Sequence, residues 1–162
     1  MDSAQRQLVI LRHAKSAWPD GVPERLRPLA GRGRRDAPAV GAWLREHVGR
    51  IDAVLCSPAE RARRTWELVA AELADPPVAN LVDHLYGATA PELLAAVREL
   101  PDSAATALLI GHNPDLEDLV TLLTGQDVVL KTSSVAVTAW PGRWSDAAAG
   151  TAELRHHETP RG

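Results

Sequence analysis

Four short apolar runs, at residues 8–11, 53–56, 78–82 and 107–110, are spaced along this chain with segments of helical periodicity between them. Each run alternates only weakly and is bounded by turn residues, the pattern of strands buried on both faces. Strands separated by helices predict an α/β fold of three layers, with a mostly parallel central sheet and helices on both faces. In such a sheet functional groups gather outside the carboxyl ends of the strands.

The helices carry their own start signals. Ser57, Pro58 and Glu60 read as N-cap, first-turn proline and capping-box acid of a helix running through Ala62, Trp66, Val69 and Leu73. Thr89 and Glu92 repeat the box ahead of Leu93, Leu94, Val97 and Leu100. Asn113 and Pro114 open a further helix through Leu119, Val120 and Leu123. The first helix is placed between Gly33 and Val48, with Pro38 confined to its opening turns. Beyond Thr124 the stretches 133–140 and 151–155 add one or two strands, and residues 156–162 are expected to form a loose tail. The interval 17–33, rich in proline and arginine, reads as a long loop bordering the carboxyl rim.

A length of 162 residues suits one domain covering 1–162, large enough to bury a core without disulfides or a structural metal. The net charge of -3 gives no global attraction to nucleic acid or to an acidic membrane, so any anion site must be local. Cys56 is the single cysteine, which excludes an intramolecular disulfide and fits a reducing, cytoplasmic setting. Residues 1–7 lack the apolar core of a signal peptide, and no later run approaches the roughly 20 apolar residues that span a bilayer. Trp18, Trp43, Trp66, Trp140 and Trp144 fall at irregular spacing and are read as packing residues in a core that has no phenylalanine.

Three motifs follow apolar runs and meet on the predicted rim. Arg12 and His13 end the first strand, Arg61 lies in the first turn after the second, and His112 follows the fourth. Phosphoryl transfer requires a nucleophile in line with the leaving group and cationic donors around the equatorial oxygens. His13 is assigned as nucleophile, Arg12 and Arg61 as phosphate clamps, and His112 with Asn113 as further phosphate-binding groups. The helix N-termini after Ser57 and Asn113 add backbone donors. These groups call for no cofactor and no metal, and the histidines lack compact metal-ligand spacing. His47, His84, His156 and His157 are left as structural or solvated, and Arg32, Arg34 and Arg35 as a solvated helix start. Cys56 is read as a buried strand residue, because Ala62 stands where a cysteine-based phosphatase loop would need arginine.

The segments 12–16, 27–33, 57–62 with Thr65, 85–88 and 111–114 resemble, in order and spacing, the histidine phosphatase or phosphoglycerate mutase-like superfamily, and within it the short bacterial SixA-type phosphohistidine phosphatases. The resemblance implies that His13 is transiently phosphorylated, that Arg12, Arg61 and His112 bind the phosphoryl group, and that water resolves the intermediate. Asp83, four residues before Gly87, matches the superfamily's usual acid and is the first choice as proton donor, with Asp20 as alternative. Pro19 stands where mutases often carry a phosphate-contacting asparagine, and the interval between Arg61 and His112 is too short for a large cap domain. The expected substrate is therefore a phosphohistidine-bearing protein or a small phosphate ester, with no nucleic-acid or membrane partner. The rival reading is a phosphate- or phosphoprotein-binding module that keeps the pocket without turnover.

Overall fold

The computed structural model describes residues 5–162; the part of the leader reading that concerns residues 1–4 lies outside the described residues. Six strands form one sheet: β1 (Gln5–Arg12), β2 (Ala53–Cys56), β3 (Asn80–Leu81), β4 (Thr106–Gly111), β5 (Val135–Pro141) and β6 (Glu153–Glu158). Four helices accompany them: α1 (Gly31–His47), α2 (Glu60–Ala70), α3 (Ala90–Arg98) and α4 (Asp115–Thr124). The strand order is β3-β2-β4-β1-β5-β6, parallel from β3 to β1 and antiparallel where β5 and β6 join.

β1 shows why the runs are apolar without alternating. Leu8 and Ile10 enter one core with Leu109, Leu116, Leu119 and Trp144, while Val9 and Leu11 enter the other with Val40, Leu44, Ile110 and Val69. Both faces of the central strands are therefore dry, and each position is paid in apolar area removed from water, roughly 25 cal/mol per Å². Between α2 and β4 the chain inserts only β3, a 3-10 turn (Asp83–Leu85) and α3, so no large cap covers the rim.

Local departures have local causes. The run at 78–82 shrinks to Asn80–Leu81, because the strand lies at the sheet edge and follows Pro76 and Pro77, which donate no ladder hydrogen bond. α1 begins at Gly31, and Pro38 sits inside the helix rather than in its opening turns. Gly33 allows α1 to lie on the Lys15 backbone, since a Cβ there would overlap the Lys15 carbonyl. The Thr89 and Glu92 capping box forms as expected. α2, in contrast, starts at Glu60 with Ala59 as its N-cap, and Ser57 does not cap it. The Ser57 N–H is committed to the Ile110 carbonyl (3.0 Å), which holds Ser57 against the end of β4, and the chain bends through Pro58 and Ala59 before the helix starts.

The tail is not loose. Residues 153–158 pair with β5, and the His157 ring nitrogen Nε2 lies 2.8 Å from the Val129 carbonyl. Arg161 Nη1 donates to Asp36 (2.7 Å), and the Gly162 N–H donates to the same carboxylate (3.1 Å). Asp36 is buried on α1, and a buried carboxylate must be paired. Its partners come from far along the chain, so no local pattern announces them.

Candidate active site

β1 and β4 are parallel neighbours in register, with Arg12 opposite Gly111, so the residues that follow each strand emerge side by side. The last carbonyls of β4 tie the neighbouring loops together: Gly111 accepts from the His13 N–H (3.2 Å) and Ile110 from the Ser57 N–H. The rings of His13 and His112 are then 5.2 Å apart between centroids. Arg61 reaches the same place from the first turn of α2. Thr65, one turn further along, donates to the Arg61 carbonyl (2.7 Å) and accepts the Ala14 N–H (3.0 Å), which joins the clamp helix to the His13 loop.

Arg12, His13, Arg61 and His112 line a cavity of about 310 Å³, together with Lys15, Ser16, Trp18, Arg27, Asn113 and Thr132. Nδ1 of His13 donates to the Ala14 carbonyl (2.7 Å), which leaves the lone pair on Nε2. Burial pushes His13 down to about 3; the Ala14 carbonyl opposes this, and His112, Arg61 and Arg12 push the same way. Burial and then Arg61 hold His112 at about 4. Both rings are therefore neutral at pH 7, and the positive charge of the site comes from Arg12, Arg27, Arg61 and Lys15.

Arg12 anchors its Nη1 on the Leu130 carbonyl (2.9 Å), and the Asn113 amide donates to that same carbonyl (2.7 Å). Asn113 thus lines the cavity while sharing an anchor with Arg12. Two residues to which the sequence assigned no role brace the site: Arg27, on the cavity wall, and Glu24 behind it. Glu24, in a 3-10 turn (Glu24–Leu26), accepts from Arg61 Nη2 (2.6 Å) and from Arg27 Nη1 (3.0 Å), and its backbone carbonyl takes Arg61 Nη1 (2.9 Å). Partial burial opposes its charge, but the bonds from Arg27 and Arg61 outweigh this and hold the carboxyl below its ordinary range. Arg27 is buried and also holds Ser16 and the Ala17 carbonyl. For Arg27 the sequence signal was its place at the head of the resembling segment 27–33, and for Glu24 only its three-residue spacing to Arg27. Trp18 is not a packing residue: it is 73% exposed at the cavity, with the Arg27 guanidinium 3.1 Å from its ring centre.

The structure does not bring Asp83 into this group. Its side chain is 91% exposed and contacts Arg25 at 3.5 Å. Asp20 is also exposed and outside the cavity lining. Cys56 is buried, with burial pushing its thiol up to about 12, so it stays a thiol, as the strand reading requires. Among the described residues no cluster of three or more histidine, cysteine or acidic side chains is placed to hold a metal ion, and no helix is long and apolar enough to cross a membrane.

The depressed histidines make a pH prediction. Between about pH 6.5 and their folded values the unfolded chain binds more protons than the native one, so their contribution to stability is complete above 6.5 and is lost as pH falls. Each ring has a limiting slope of about 1.4 kcal/mol per pH unit. Urea unfolding at pH 7, 6 and 5 should therefore show a falling midpoint, and His112→Ala should flatten that fall. Parallel pH profiles for the two proteins would contradict the neutral, buried state of His112.

A mostly parallel sheet covered on both sides brings two histidines and two arginines together at its carboxyl rim, a set of groups able to hold a phosphoryl group. Residues 8–85 match the histidine phosphatase superfamily (branch 1). A structure assigned as the phosphohistidine phosphatase SixA of Nakamurella multipartitia superimposes with a TM-score of 0.87 at 31% identity, covering 96% of each chain. The protein histidine phosphatase SixA complexed with tungstate superimposes with a TM-score of 0.84 at 26% identity, covering 95% of this chain and 97% of that one. An uncharacterised Mycobacterium tuberculosis protein is 38% identical over 162 residues, 93% of this chain and all of that protein. The chain belongs to the histidine phosphatase superfamily, in its SixA-type branch.

Proposed function

We propose that this enzyme hydrolyses phosphohistidine on a protein, or a small phosphate ester, through a phosphorylated His13 and without a metal ion. The observation that carries the reading is His13 itself: a neutral ring whose Nδ1 is tied to Ala14, leaving Nε2 free beside Arg12, Arg61 and His112. Nε2 attacks phosphorus as the bond to the leaving nitrogen or oxygen breaks. The leaving group departs with a proton, and water then cleaves the Nε2–P bond to release inorganic phosphate and restore His13. Arg12, Arg61 and His112 hold the equatorial oxygens through both steps, with Asn113 supporting Arg12 from the shared Leu130 carbonyl.

The open rim and relatives named for phosphohistidine phosphatase activity support this substrate class. A nitrogen leaving group can arrive already protonated, so it needs little from Asp83; an alkoxide would require Asp83 to leave Arg25 and turn inward. The cytoplasm is the compartment we assign. The test is rapid-quench labelling with phosphoramidate, with a phosphohistidine peptide and with a phosphate monoester, each with a chelator present. An acid-labile phosphoenzyme that forms and decays at the turnover rate is expected, fastest with the peptide. Phosphate binding without labelling or turnover would instead favour the binding-module reading, and loss of turnover on chelation would remove metal independence.

A further inference from the structure

Ser57 is buried without exposure at the carboxyl end of β2, and its hydroxyl oxygen has two neighbours. It accepts the Ala59 N–H (3.2 Å), and it lies 2.7 Å from Nε2 of His112. On the other side of that ring, Nδ1 is buried and has no hydrogen-bond partner among the described residues. The proton positions follow from counting. If Nε2–H donated to Ser57, the serine proton would be a buried donor with nowhere to go, and Nδ1 would carry a lone pair in a ring that lines the anion cavity. If Ser57 donates to Nε2, the serine oxygen accepts from Ala59, its proton is used, and the one group left over is the hydrogen on Nδ1, a donor that an incoming anion can take. Burial and Arg61 keep the ring neutral, so the choice of tautomer has consequences that a doubly protonated ring would not have.

We propose that Ser57 is a positioning residue of the phosphoryl site, its hydroxyl holding His112 as the Nδ1–H tautomer so that this N–H is the donor left for a phosphoryl oxygen. The inference rests on the phosphatase reading above for its use, but not for its geometry. It also explains why Ser57 does not cap α2: its oxygen and its backbone N–H both serve the β4 rim.

The experiment is two-bond proton–nitrogen NMR of the histidine-labelled full chain, combined with titration of inorganic phosphate. In the parent, His112 should show a protonated Nδ1 and an unprotonated Nε2. Ser57→Ala should shift the ring toward the Nε2–H form and weaken phosphate by about tenfold, the effect of losing one hydrogen bond to a charged ligand. Ser57→Thr, which keeps the hydroxyl, should restore both. A parent spectrum with Nε2–H overturns the proposal even if Ser57→Ala does not fold, as does a folded Ser57→Ala with unchanged tautomer and phosphate affinity. Phosphoramidate turnover of the same parent sample tests the phosphatase reading separately, since the tautomer and phosphate affinity are read without catalysis.

Discussion

His13→Ala should reduce phosphate turnover by about 10⁵- to 10⁶-fold, the scale on which a covalent nucleophile is lost, and should abolish the acid-labile phosphoenzyme. No neighbouring group can take its place. The other imidazole in the cavity, His112, has its Nε2 on Ser57 and stands 5.2 Å from His13 between centroids. The fold should survive at neutral pH, because the side chain makes one hydrogen bond, to Ala14, whose loss costs about 1 kcal/mol plus a small cavity. In acid the variant should lose stability less steeply than the parent, since the ring whose protonation burial opposes is gone. Stopped assays with phosphoramidate, labelling and urea melts at pH 7 and 5 read all three. Retained labelling in a folded His13→Ala would remove His13 as the nucleophile.

Arg61→Ala should be the next most damaging change, with a loss of about 10³- to 10⁵-fold, the range seen when a transition-state arginine is removed. Two effects add. The phosphoryl oxygens lose a buried guanidinium, and Glu24 loses the shorter of its two guanidinium contacts while remaining next to the site. A carboxylate released beside an incoming phosphate repels it. Glu24→Gln in the Arg61→Ala background should therefore recover part of the activity, about tenfold, whereas two independent effects would simply add. Arg61→Lys should rescue poorly, because an ammonium is a point charge and cannot face Glu24 and a phosphate at once with a planar fork. Steady-state kcat/KM for the parent, Arg61→Ala, Glu24→Gln and the double variant tests the coupling, and strict additivity would show that Glu24 has no electrostatic influence on the substrate.

The central strands and the groups beside them were legible because their signals are local. Leu8, Val9, Ile10 and Leu11 declare a strand dry on both faces, and Arg12 and His13 follow it directly. Thr89 and Glu92 form their box within four residues of chain. Ser57 misled for the same reason: its spacing to Glu60 satisfies the capping pattern, and nothing nearby reveals that Ile110 and His112 claim its backbone and hydroxyl. The tail misled because Arg161 is stabilised by Asp36, a partner distant in sequence.

By itself, then, the sequence determined the strand and helix alternation, the buried faces of the sheet, and the identity of the residues at its carboxyl rim, since periodicity and chain direction set these within a few residues. The tertiary structure alone decided how those residues are used. It placed Glu24 between Arg27 and Arg61, put Trp18 at the mouth of the cavity, turned Asp83 outward onto Arg25, and set His112 against Ser57. Each of these is a contact between segments brought together only by strand order and loop path, and hydrogen bonds and ion pairs act over a few ångströms whatever the separation along the chain.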